Sequence, residues 1–296
     1  MSSTGGPGLR IGAKLPSSGP LARHVPLLES ARLAEEAGFD SLWVSDHVVM
    51  LRDQSYSYPF SPDGRMTWDP EDPWHDPLIS MAMAAAVTDR VEIGVAVLIV
   101  PLRNPVVLAK QLASLDALCN GRIVVGAGAG WLAEEFEVLG TPFQTRGERL
   151  DEWIEIMRDC WTGEPRPKDY RHYRMPKGVL SYPIPAHRIP ILIGGMSPAA
   201  LRRVARVGDG WLALQHVDEI DVDALVAGMG AIGAEAQRGG WPTPSRVVLR
   251  MAGPTASVAR HLPALVEAGI TDVVVDVSWD DDAGPRRTSE MLRAGG

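Results

Sequence analysis

Two rhythms of apolar and polar positions alternate along the chain: short apolar runs of strand length, and longer stretches with apolar residues at helical spacing. Leu27, Leu28, Ala31, Leu33, Ala34 and Ala37 form one helical stripe, and Gly38 stands where a helix C-cap glycine belongs. The apolar run that follows, inside Asp40 to Ser45, reads as a buried strand and ends in the polar triplet Ser45-Asp46-His47. The same unit then repeats. Strands are expected over Arg10 to Leu15, Asp40 to Ser45, Val91 to Leu98, Arg122 to Gly126, Ile189 to Ile193, Gly210 to Leu214, Arg246 to Ala252 and Asp272 to Val277. Helices are expected over Leu78 to Val87 behind the Asp76-Pro77 cap, Val106 to Leu118 behind Asn104-Pro105, Leu132 to Leu139, Arg146 to Trp161, Ala199 to Val207, Asp221 to Gln237, Ser257 to Ala268 and Thr288 to Arg293.

Eight strands alternating with helices is the count of an α/β protein of the (β/α)8 TIM-barrel type, a single domain over residues 9–296 behind a short flexible arm, residues 1–8. Two insertions interrupt the rhythm. The first, between His47 and Asp76, carries Pro59, Pro62, Pro70 and Pro73 with the aromatics Tyr56, Tyr58, Phe60, Trp68 and Trp74, and reads as a lid or binding loop. The second, Gly163 to Arg188, precedes the fifth strand and has no clear period. A doubly wound open sheet is disfavoured, because Pro16-Ser17-Ser18-Gly19 after the first strand is not a GxGxxG turn.

Composition narrows the function classes. A net charge of −8, with no basic run longer than the Arg202-Arg203 or Arg286-Arg287 pairs, argues against nucleic acid and anionic membrane as partners. The longest apolar run, Ile93 to Leu102, falls far short of a membrane span, and the first residues lack the pattern of a signal peptide. Cys119 and Cys160 show neither CxxC nor metal spacing and read as reduced structural thiols, which fits a cytoplasmic protein acting on a small molecule.

In a barrel of this kind chemistry sits at the C-terminal ends of the strands. Few titratable groups fall there, and the His and carboxylate set of a metal-dependent hydrolase is missing. His47, with Asp46 beside it, is the best candidate, since imidazole exchanges protons near neutral pH. A histidine that only bonds a backbone carbonyl at a strand end fits the same feature. Gly194-Gly195-Met196-Ser197-Pro198 can turn backbone amides and a helix N-terminus toward a phosphate; an ordinary capped turn is the alternative. The run from Gly126 to Gly130 either admits a planar ligand or packs tightly. So few acids and bases suggest that a bound cofactor carries the reaction.

These residues resemble the luciferase-like monooxygenases, specifically the branch dependent on the deazaflavin coenzyme F420. The resemblance rests on Ala37 to His47, Asp76-Pro77-Leu78, Thr88 to Gly94, Asn104-Pro105, Gly121-Arg122 to Gly130-Trp131, Glu134-Glu135-Phe136, Leu139-Gly140, Arg146 to Glu152 and Ile189 to Gly195. It implies a TIM barrel, usually a homodimer, with the ring of the cofactor in the barrel mouth. By motif position Asp46 and His47 would touch ring or substrate. Ala96 and Val97 would form a bulge behind the ring, often with a cis peptide in this family. Gly128, Ala129 and Gly130 would line the cofactor, and Gly194, Gly195, Met196 and Ser197 would hold its phosphate.

Two departures matter. The sugar-phosphate dehydrogenases of the branch place a glutamate directly after the second glycine of the fourth strand, where this chain has Trp131. Ser45-Asp46-His47 stands where FMN-using members tend to show Glu-His-His, which favours F420. The leading expectation is hydride transfer between F420 and an organic substrate. The alternatives are an FMN monooxygenase that uses oxygen and is supplied by a separate reductase, and a flavin-binding protein without turnover. Glu134, Arg146 and Arg149 read as ion pairs between neighbouring helices, and the two insertions as substrate walls that favour a bulky or apolar molecule.

Overall fold

The computed structural model describes residues 8–52, 58, 64 and 68–294. Most of the expected arm, with Tyr56, Pro59, Phe60 and Pro62 of the long segment, lies outside the described residues.

Eight parallel strands close the barrel: β1 Arg10–Lys14, β2 Ser41–Val44, β3 Glu92–Ile99, β4 Ile123–Gly128, then β7 Ile191–Gly194, β8 Gly210–His216, β9 Arg246–Ala252 and β10 Asp272–Asp276. Between β4 and β7 an antiparallel pair, β5 Lys168–Asp169 and β6 Arg174–Met175, gives the second insertion a small hairpin that its irregular sequence did not announce. The helices are α1 Leu27–Glu36, α2 Pro77–Ala85, α3 Pro105–Leu118, α4 Ala133–Val138, α5 Arg146–Cys160, α6 Pro198–Val207, α7 Val222–Gly239, α8 Leu262–Glu267 and α9 Gly284–Ala294.

Caps explain where several helices start. Asp76 accepts from the amides of Leu78 and Ile79, Asn104 from Val106 and Val107, and Asp221 from Ala224. One expected helix differs: Ser257 to Ala268 breaks into the short 3-10 turns Thr255–Ser257 and Ala259–His261 before α8, because Pro263 has no N–H and suits only a first turn.

Two apolar layers hold the barrel. Ile11, Ala13, Leu42, Val44, Val125 and Ile193 face outward and are buried under the helices. Inside, Trp43, Val124, Leu192, Leu212, Val248 and Val274 fill the lumen. Trp43 fits there because two neighbours lack a side chain: a Cβ on Gly12 would lie 2.7 Å from its Nε1, and one on Gly94 would lie 2.5 Å from its Cε3. Its indole N–H donates to Ser41 Oγ at 2.8 Å. The N-terminal end of the barrel is closed by charge, with Arg10 and Arg246 both on Glu92 and Asp272.

Two of the motif pieces are structural latches. Glu35 of α1 accepts from the amides of Asp89, Arg90 and Val91. Burial alone would raise its pKa, but those amides and the Arg90 charge outweigh burial and hold it below the ordinary carboxylate value. Arg122 donates to the carbonyls of Ala85, Thr88, Val91 and Cys119, fastening β4 to the turn before β3. No helix among the described residues is long and apolar enough to cross a membrane.

Candidate active site

The apolar run of β2 is buried on both faces, so the chain leaves the sheet only after Val44 and delivers Asp46 and His47 to the C-terminal rim. The two side chains part company there. Asp46 turns to α3's approach: its Oδ2 accepts from the Ile99 amide at 2.8 Å and from Arg103 at 2.6 Å, and its Oδ1 accepts from Arg103 at 2.8 Å. This two-point pair ties the end of β2 to the end of β3. Arg103 is raised above its ordinary pKa: burial opposes the charge, but Asp46 outweighs it. Both Asp46 oxygens are therefore engaged by protein.

His47 faces the other way, and its partner is a residue that sequence reasoning passed over. Glu135 of α4, fully buried, lies with Oε2 3.0 Å from His47 Nδ1. Its Oε1 accepts from the amides of Val48 at 2.6 Å and Val49 at 3.3 Å. A carboxylate that already accepts two amides acts as an acceptor toward the ring as well. With the carboxylate as acceptor the hydrogen sits on Nδ1, and the lone pair is left on Nε2.

Aromatic rings wall this imidazole. Trp74 and Trp131 meet it edge-on, with centroids at 4.8 Å and 5.7 Å, and Tyr58 links Trp131 to Trp68 at 5.3 Å from each. Burial pushes the Tyr58 hydroxyl up to about 12, with the charge of Arg250 pulling the other way. Trp131 thus packs edge-on against the His47 ring, at the position where the sugar-phosphate dehydrogenases are expected to carry a glutamate.

On the next strands the Ala96–Val97 peptide is cis, and the pairing of β3 with β4 slips between Val95 and Leu98, so the expected bulge is present. The glycines around it serve packing first. A Cβ on Gly128 would lie 2.5 Å from Val97 Cγ2, and one on Gly194 would lie 2.5 Å from Val97 Cγ1. Val97 fills the notch between β4 and β7, and the result is a wall of small groups from Ala96 to Gly128 and Gly194. Gly130, at φ 86°, turns the chain toward Trp131, and its carbonyl accepts from Arg146. Ala129 stays partly exposed beside it.

At the end of β7 Gly195 adopts φ 115°, its amide donates to Leu212 O and its carbonyl accepts from Trp211. Met196 follows, and Ser197 caps α6 by accepting from the Ala200 amide at 3.2 Å. This glycine turn and the N-terminus of a ten-residue helix suit a phosphate, while the small-residue wall suits a planar ring. The residues present therefore fit a flavin-like group with a phosphate tail. No cluster that could hold a metal ion exists among the described residues.

The expected helix ion pairs are corrected. Arg146 donates to the carbonyls of Gly130 and Phe143 and stacks 3.7 Å over the Phe143 ring, and Arg149 donates to Thr145 Oγ1. The charge contact between α5 and α6 runs instead from Asp151 to Arg203 and Arg206.

The sequence profile of the luciferase-like monooxygenases matches residues 10–270. An uncharacterized protein of Mycobacterium tuberculosis is 35% identical over 263 residues, covering 88% of this chain and 87% of the relative. The F420-dependent glucose-6-phosphate dehydrogenase of Nocardia farcinica is 33% identical over 218 residues, 72% of this chain and 60% of the relative. Among solved structures, an F420-dependent secondary alcohol dehydrogenase in complex with an F420-acetone adduct superposes with a TM-score of 0.77 at 18% identity, covering 97% of this chain and 99% of the other. The oxygenating constituent of 3,6-diketocamphane monooxygenase of Pseudomonas putida, in complex with FMN, has the same fold at a TM-score of 0.69 and 17% identity, covering 90% of each chain. The chain belongs to the luciferase-like monooxygenase family.

Proposed function

We propose that the chain is an oxidoreductase that binds coenzyme F420 in the barrel mouth and moves a hydride between it and a small organic substrate. The observation that carries this reading is the fixed imidazole: His47, at the C-terminal rim of the barrel, is held by Glu135 at 3.0 Å. The F420-dependent relative at 33% identity supports the choice of cofactor.

When bound, the deazaflavin supplies the carbon that gives or takes the hydride. The wall of Ala96, Val97, Gly128 and Ala129 would back the ring, and the turn of Gly194, Gly195, Met196 and Ser197 at the N-terminus of α6 would receive the phosphate, with the Gly195 amide itself already given to Leu212 O. His47 Nε2 donates a proton to a carbonyl oxygen being reduced, or accepts one from an alcohol being oxidised. Glu135 orients the ring, while Asp46 and Arg103 hold the strand end that carries it. Trp74 and Trp131 keep water from the transfer and give the site an aromatic wall beside His47.

A second reading, an FMN monooxygenase, draws on the description of the family as luciferase-like monooxygenases and on the FMN-bound camphane enzyme. An anaerobic assay with F420 and a panel of ketones and secondary alcohols tests the proposal. Turnover without oxygen, reduced ~100-fold or more in His47→Ala, is expected. Product formed only with reduced FMN and oxygen contradicts it.

A further inference from the structure

The His47 site leaves Lys14 of β1 without a role. Lys14 ends β1 on the same face as Gly12, the inward face, since Ile11 and Ala13 are the residues buried under the helices. The pairing register sets it beside Trp43 of β2 and Asp276 of β10. The charged groups facing it are Arg250 from β9 and Asp276 from β10, and β2 offers only the indole.

Asp276 is not its partner. One Asp276 oxygen is held by the Arg250 guanidinium and the other accepts the Gly253 amide at 2.9 Å. Lys14 Nζ donates to two neutral acceptors, Leu15 O at 2.8 Å and Ser17 Oγ at 3.3 Å. An ammonium carries three donors, and the third finds no acceptor among the described residues. Arg250 and Asp276 cancel one another, so the Lys14 charge stands uncompensated. Burial, then repulsion from Arg250, lowers its pKa to about 7 against the pull of Asp276. The side chain still keeps partial exposure. The neighbouring Asp276 lines a cleft of about 300 Å³ between the ends of β9 and β10, with Gly253, Thr255 and Ser278 among others; Lys14 is not part of that lining.

We propose that Lys14 is the anion-recognising group of the substrate pocket, so that the molecule acted on carries a compact anionic oxygen, a carboxylate. That the anion belongs to the substrate rests on the hydride-transfer reading; the anion site itself does not. An anion placed on the third N–H supplies the missing acceptor and the missing charge. Binding then favours protonated Lys14 and couples to proton uptake.

Calorimetric titration of the apo chain with benzoate tests this without any cofactor. One site is expected, accompanied above neutrality by uptake of up to about one proton, and weakening about tenfold for each pH unit beyond the Lys14 range. Lys14→Met should remove the binding, and Lys14→Arg should keep it while abolishing the pH dependence, with circular dichroism reporting the fold of both. Binding that survives Lys14→Met, or takes up no proton, overturns the proposal, as does a wild-type chain that ignores millimolar benzoate. Cofactor loading separates the two sources of anion. Benzoate that still binds the F420-loaded protein assigns the site to the substrate; displacement of benzoate by F420 overturns that assignment.

Discussion

Glu135 and His47 stand 88 residues apart in the chain and meet at 3.0 Å, with the carboxylate accepting the amides of Val48 and Val49 through its second oxygen. One buried side chain thus sets both the backbone course after β2 and the orientation of the imidazole. Glu135→Gln keeps the size of the group but replaces one acceptor oxygen with a donor. It is expected to lower kcat ~10- to 100-fold with KM little changed. Glu135→Ala also strands two amides, and should lose about 1–3 kcal/mol in denaturant unfolding. An unchanged kcat in Glu135→Gln would remove the residue from the relay.

Asp46 and Arg103 form the other buried pair of the rim, at 2.6 and 2.8 Å. Removing the cation alone leaves a buried carboxylate uncompensated, so Arg103→Ala should destabilise the fold by about 3–5 kcal/mol. Arg103→Ala combined with Asp46→Asn should recover part of that loss. Thermal melts of the single and double variants read the difference directly, and additive losses would show that the pair is not coupled.

Val97 occupies the space where Cβ atoms on Gly128 and Gly194 would lie, each 2.5 Å from one of its methyl carbons. Gly128→Ala should therefore cost about 1–3 kcal/mol by overpacking. Adding Val97→Ala should relieve that strain relative to Val97→Ala alone. Chemical denaturation of the four species checks it.

Lys14 gives a pH dependence of stability whose sign follows from its lowered pKa. Between about 7 in the folded chain and 10.5 when unfolded, the unfolded state holds the extra proton, so the burden of burying this charge is full below about 7 and fades as pH rises toward 10.5. Lys14→Met is accordingly expected to raise the melting temperature most at or below neutral pH, with the gain shrinking through that window. A gain that grows with pH would contradict the assignment.

Much of the barrel was legible because β-branched and apolar runs such as Val91 to Leu98 can only be strands covered on both faces. His47 was legible for the same reason: it is the polar exit of such a run. Glu135 was not, because Glu134 and Glu135 are adjacent carboxylates on a six-residue helix, and only the tertiary approach of β2 decides which one is buried. Lys14 was hidden by a reversal of the usual pattern. In β1 the apolar residues point out to the helices, while Arg10, Gly12 and Lys14 point into the barrel. The role of Gly128 and Gly194 also depends on a neighbour, Val97, whose position only the bulge of β3 reveals.

The most direct test of the central claim is a fluorescence titration of the purified apo chain with F420 and, separately, with FMN. Micromolar binding of F420 with weak binding of FMN is the predicted result. Tight binding of FMN, with F420 failing to bind, would contradict it and make the barrel mouth the site of an oxygen-dependent enzyme.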